Sequence, residues 1–109
     1  MELTPIKFET SQPTENKAED LVVARALASA ARGNVSAFFD LGVVYSTGSG
    51  GVPSDLIEAH KWFNIAAARG HEDAAVCRAD VSDEMTAREI AEAQRRARQW
   101  LADERRRVA

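Results

Sequence analysis

SAFFDLGVVYSTGSGGVPSDLIEAHKWFNIAAARGHEDA, residues 36 to 74, holds two apolar helical runs joined by a glycine-rich turn. In the first run Ala37, Phe38, Leu41, Val44 and Tyr45 recur at helical spacing, which predicts a helix from Val35 to Thr47. Phe39 and Val43 fall on another face. The helix is therefore apolar around much of its circumference, as suits one buried between neighbours or presenting a binding surface. Gly48, Ser49, Gly50 and Gly51 make the turn, with Gly50 or Gly51 expected to take the left-handed conformation. Asp55 followed by Glu58 predicts a capping box opening the next helix, which runs to Arg69. Leu56, Ala59, Trp62, Phe63, Ala66 and Ala67 form its core stripe, and Gly70 stops it.

Working outward, residues 1–17 show no sustained period and include Pro5 and Pro13. They read as a flexible arm. Ala18 to Arg32 is alanine-rich and helical, with Leu21, Val22, Leu27, Ala28 and Ala31 available for a buried stripe and Gly33 as its stop. Downstream, a shorter and more polar helix is expected from Glu72 to Asp83. Thr86 and Glu89 form a Thr-x-x-Glu capping box before a long last helix, Ala87 to Arg106. Ile90, Ala93, Ala97, Trp100 and Leu101 line one face of it. Arg88 with Glu92, Glu92 with Arg96, and Asp103 with Arg107 are spaced for ion pairs on the solvent side. Five helices and no strand pattern predict an all-α domain.

The chain also repeats. Shifted by 37 residues, ASAARGNVSA (28–37) falls on IAAARGHEDA (65–74), so that Ala30, Ala31, Arg32, Gly33 and Ala37 match Ala67, Ala68, Arg69, Gly70 and Ala74. A fixed period in this range marks a helical solenoid of the tetratricopeptide kind. The order Leu41, Gly42, Tyr45, Gly48, Gly50, Val52, Asp55, Ala59, Trp62, Ala66, Ala67, Gly70 goes further: it resembles a Sel1-like repeat. The best repeat is 36–71, preceded by half a repeat and followed by a degenerate capping unit at 72–107, giving a repeat domain over 18–107. Two departures stand out. One extra glycine precedes Val52, and Arg78 and Ala79 stand where Leu41 and Gly42 stand one unit earlier. The arginine-rich ending resembles the closing helix of small bacterial members of the family.

The resemblance implies a short α-α superhelix of stacked helix pairs. It also implies a non-enzymatic adaptor or scaffold for protein–protein interaction, with no shared active site and no cofactor. The first helix of each pair would line the concave face, so Phe39, Asp40 and Val43 are the expected partner-binding residues for a helix or extended peptide. A cysteine-rich branch of the family, linked to penicillin binding, depends on paired cysteines; Cys77 is the only cysteine here.

Composition narrows the alternatives. Net charge is −3 over 109 residues, but residues 1–85 carry 7 Lys and Arg against 13 Asp and Glu, while residues 86–109 carry 7 Arg against 4 acids. An acidic body argues against a whole-protein nucleic-acid surface. Arg105, Arg106 and Arg107 nevertheless offer a basic patch for a nucleic-acid-associated adaptor, and a self-associating repeat module is the other alternative. A lone cysteine excludes an intrachain disulfide. His60, His71 and Cys77 lack the spacing of a metal site, and His60 reads as a partly exposed surface residue. Gly48–Gly51 follow no strand and precede no Gly-Lys-Ser/Thr, so they read as a turn rather than a phosphate cradle. Asp55 and Glu58 read as helix-start residues rather than an acid–base pair. Tyr45 and Trp62 read as core; Trp100 could either cover the last hairpin or dock a neighbour. MELTPIKFET lacks a basic start followed by a long apolar run, so a cytoplasmic location without membrane contact is expected.

Overall fold

The computed structural model describes residues 16–108. Within them lie α1 (Lys17–Ala31), α2 (Ser36–Thr47), α3 (Leu56–Ala68), α4 (Glu72–Ser82) and α5 (Ala87–Val108), and no strand among the described residues. The expected helices are all present, with ends within two residues of the expected positions. Most of the expected arm, residues 1–15, lies outside the described residues. Its last two residues belong to α1 instead: the Asn16 side chain accepts a hydrogen bond from the Glu19 N–H at 2.9 Å, and Lys17 is the first helical residue. Asn-x-x-Glu is a start signal of the same kind as Thr-x-x-Glu.

Cap chemistry sets the other boundaries. Thr86 and Glu89 form the full reciprocal box, Glu89 N–H to Thr86 Oγ1 at 3.1 Å and Thr86 N–H to Glu89 Oε1 at 2.9 Å. The box expected at Asp55 is only half made. Asp55 Oδ1 accepts from the Glu58 N–H at 3.1 Å, but the Asp55 N–H donates to the Tyr45 carbonyl at 2.9 Å, and the Glu58 carboxylate is used elsewhere. In the glycine turn Gly48, Gly50 and Gly51 all have positive φ, so three residues rather than one take the conformation only glycine adopts freely.

The 37-residue offset is visible in backbone hydrogen bonds. Gly33 N–H donates to the Ala30 carbonyl at 2.9 Å and Gly70 N–H to Ala67 at 3.0 Å; Asn34 N–H reaches Ser29 at 3.2 Å and His71 N–H reaches Ala66 at 3.0 Å. Ala37 N–H to Asn34 and Ala74 N–H to His71 complete the correspondence. Two stretches alike in sequence thus build the same helix–turn–helix joint.

The packing centres on α3. It lies against α2, α4 and α5, whereas α1 packs on α2. The core gathers Phe38, Leu41 and Tyr45 of α2, Val52 of the turn, Ala59, Trp62, Phe63, Ile65 and Ala66 of α3, Ala74 and Val81 of α4, and Ala97 of α5. Among the described residues α4 and α5 share no extensive packing. Instead α5 turns back over the α2–α3 hairpin: Trp100 meets Trp62 edge-on at 5.6 Å and Phe38 edge-on at 5.4 Å. The small residues Ala93 and Ala97, both fully buried, let α5 approach closely. With α5 drawn away, the outer side of α4 stays open and Val76 is 63% exposed.

Candidate functional site

The residues expected to bind a partner sit on α2. Phe39 does not stand free. Its ring packs against Phe63 at 5.5 Å and lies flat on the His71 imidazole at 4.4 Å, so it is half-buried and joins the core. Asp40 is exposed, and Val43, one turn after Phe39, is 37% exposed. The exposed residues of this expected surface are therefore Asp40 and Val43, while Phe39 packs inward. Of the residues expected to form a repeat motif, Leu41, Gly42, Tyr45, Ala59 and Trp62 are buried, Ala67 is half-buried, and Gly48, Gly50, Asp55 and Gly70 lie exposed at turns and the α3 cap.

Glu58 ties α3 to α5. One carboxylate oxygen accepts from Lys61 Nζ and from Trp62 Nε1, each at 3.2 Å; the other accepts from Arg96 Nη1 at 2.9 Å. Arg96 Nε in turn donates to Glu92 at 2.7 Å, and Arg95 binds the same carboxylate at 2.8 Å. These two guanidinium groups hold the Glu92 carboxyl down to about 2. Lys61, Arg95, Arg96, Gln99, Trp100 and Asp103 line a shallow depression of about 220 Å³. Its cations already have acidic partners, which makes it a mixed-charge surface rather than an anion site.

The C-terminal arginines fan outward, as consecutive helical residues must at ~100° apart. Arg106 pairs with Asp103, Arg107 lines a separate groove, and Arg105 is exposed. The structure does not bring the three together on one face. Among the expected i, i+4 pairs on α5, Glu92–Arg96 forms, whereas Asp103 takes Arg106 in place of Arg107. The groove beside Arg107, about 120 Å³, lies between α1 and α5 and is lined by Leu27, Ala30, Ala31, Phe38, Trp100 and Glu104. Glu104 is also paired with Arg69. Sequence reasoning did not find this groove, because it exists only once α5 has folded back toward α1.

His60 departs from its expected surface position: it is 2% exposed, and its Nδ1 is buried without a hydrogen-bond partner among the described residues. Helix α3 has neighbours on three sides, so the flank beside its main stripe is covered too. Burial first, and then the positive charge of Arg78, push the imidazole below its ordinary value of 6.5. The folded state therefore resists the proton that the unfolded chain accepts. Stability from this residue is complete above pH 6.5 and is lost as pH falls toward the folded pKa. The slope in that window is at most about 1.4 kcal/mol per pH unit. Chemical denaturation at pH 7 and pH 5.5 should show wild type losing stability between them, and His60→Leu losing distinctly less. Equal losses would remove His60 from the account.

Cys77 is half-buried, and burial, then Asp80 and Asp73, push its thiol up, which keeps it protonated. Among the described residues no three His, Cys, Asp or Glu side chains group as metal ligands, and no helix is long and apolar enough to cross a membrane. Compared with known proteins, the chain matches no family model, no curated protein and no solved structure. What the fold and its surfaces define is a small all-α domain with exposed aliphatic residues and an aromatic-floored groove.

Proposed function

We propose that this chain is a Sel1-like, tetratricopeptide-like helical module, a non-enzymatic adaptor that binds a helix or extended peptide of another protein. The observation that carries the reading is Val43. It stands exposed beside Asp40 on α2, a helix that otherwise sinks Ala37, Phe38, Leu41, Gly42 and Tyr45 into the core. The recurrence of one turn geometry 37 residues apart supports the repeat assignment. A cytoplasmic setting accompanies the proposal.

The mechanism is groove binding by apolar contact. Val43 would supply the anchor, Phe39 would hold it rigid from beneath, and Asp40 would select a basic flank on the partner. Val43→Asp tests this. It places a charge where an apolar contact is needed but lies outside the core, so helix content by circular dichroism should be unchanged. Capture of a partner from cell extract should fall by about 30-fold, the equivalent of a hot-spot loss of ~2 kcal/mol. Undiminished capture by a folded variant would remove this surface from the proposal.

A further inference from the structure

Two helices of the fold keep an outward face. Helix α1 packs on α2 and helix α4 on α3, and neither has other extensive packing among the described residues. By the joint that recurs 37 residues on, α4 stands where α2 stands one joint earlier. Yet α2 has both α1 and α3 against it, whereas α4 has α3 alone. The outward arc of α4 holds Asp73, Val76, Ala79 and Asp80, within ~120° at ~100° per residue. All four are exposed, and the buried Ala74 and Val81 lie on the opposite side. The outward arc of α1 holds Ala24, Arg25, Ala28 and Arg32, within ~100°, and these too are exposed. Neither the two aspartates nor the two arginines are ion-paired with a described residue. One face is acidic beside a valine, the other basic beside alanines.

We propose that α4 of one copy of this chain receives α1 of a second copy, antiparallel and head to tail. The flanks set the direction. Viewed from the N-terminus, Arg25 and Arg32 lie ~60–80° clockwise of the Ala24–Ala28 line on α1. In the same view Asp73 and Asp80 lie ~70–90° clockwise of the Val76–Ala79 line on α4. Antiparallel helices bring flanks of the same sense together, so the arginines meet the aspartates. A parallel pair would set the arginines on the side of Ala75 and Ser82 instead.

Spacing then sets the register. Arg25 and Arg32 are seven residues apart, as are Asp73 and Asp80. With Arg25 opposite Asp80, Arg32 stands opposite Asp73. Val76 faces Ala28, and Ala79 falls between Ala24 and Ala28. Side chains this small permit the ~8–10 Å approach of closely packed helices. Charge complementarity also selects this pairing over a symmetric one. Antiparallel α1 on α1 would oppose arginine to arginine, and α4 on α4 aspartate to aspartate. A contact between unlike faces is heterologous and does not close at two copies. Neither face includes Asp40 or Val43, so failure of either proposal leaves the other standing.

The experiment is light scattering of the full chain over a range of concentrations. The mass should rise from 11.9 kDa and pass twice that value, and should fall back as salt is raised from ~50 to ~500 mM. Val76→Asp spoils the α4 face and Arg25→Glu/Arg32→Glu the α1 face, all at exposed positions, so helix content should be unchanged. Each variant alone should associate at least ~10-fold more weakly. Mixed in equal amounts they should form a dimer and nothing larger, because each supplies the one face that the other lacks. A symmetric interface would give no such recovery. A wild-type mass constant at 11.9 kDa up to ~1 mM, assembly indifferent to either variant, or no dimer on mixing would each overturn the proposal.

Discussion

Trp62→Ala should destabilise the domain by about 3–5 kcal/mol, the range for removing a large aromatic from a packed core. Trp62 lies where α2, α3 and α5 meet. Its ring stacks parallel to Phe38 at 6.1 Å, takes Trp100 edge-on at 5.6 Å, and carries Lys61 Nζ 4.3 Å from its centre. Its indole N–H is held by Glu58, which also holds Arg96 of α5. Truncation would leave a void under α5 and free one partner of the bridge that binds α5 to α3. Against a total of ~5–15 kcal/mol for a native domain, a loss of this size lowers the melting temperature by more than ~10 °C. Thermal melts followed at 222 nm would measure it. Trp62→Phe keeps an aromatic ring in the cluster while removing the N–H and part of the ring volume. A hydrogen bond to a charged group contributes about 1.5–3 kcal/mol, so the phenylalanine variant should fall between wild type and alanine. A cost under ~1 kcal/mol for Trp62→Ala would mean that α5 is not held by this cluster.

The residues of that cluster also show how far the sequence could be read. Trp62 and Tyr45 were legible as core because each lies on a stripe at helical spacing, and Tyr45 is indeed inside, its hydroxyl donating to Glu19 of α1 at 2.6 Å. Thr86 with Glu89 was legible because a capping box is closed within four residues. Phe39 and His60 were harder to place. Each lies beside its helix's main stripe, and whether such a flank is covered depends on how many neighbours the helix acquires. His71 covers Phe39, and α3 at the centre of the packing buries His60. The stripe Ala93, Ala97, Trp100, Leu101 shows that α5 has a face to bury but not which neighbour it buries it against. The choice of α3 over α4 is made by Trp100 reaching Phe38 and Trp62, contacts 38 or more positions apart in the chain. Glu58 shows the same limit on a smaller scale. Its spacing from Asp55 suits a capping box, yet its carboxylate finds Trp62 and Arg96 instead. The α1–α5 groove was not legible for the same reason, since its walls come from helices far apart in the chain, Leu27 to Ala31 on one side and Trp100 to Arg107 on the other.

Gly42→Ala carries the second large effect, and its sign distinguishes two accounts of that glycine. In an unhindered helix interior, alanine is more favourable than glycine by about 1 kcal/mol, so the substitution should stabilise α2 if Gly42 were there by chance. The structure predicts the opposite. A Cβ built on Gly42 would overlap Cδ1 and Cε1 of the Phe63 ring. Phe63 is itself fully enclosed, packed against Phe39 as well, and cannot swing into solvent. Gly42 is thus the point where α2 and α3 approach closely enough for a ring to lie on bare backbone. Either the helices separate or Phe63 leaves its rotamer, and overpacking of this kind costs about 1–3 kcal/mol. Urea denaturation of Gly42→Ala should show that loss. In a Phe63→Leu background, where the ring is gone, the same substitution should cost at least ~0.5 kcal/mol less, as expected for residues in direct contact. A stabilised Gly42→Ala, or an effect identical in both backgrounds, would show that the α2–α3 contact is not closed by Phe63 on Gly42.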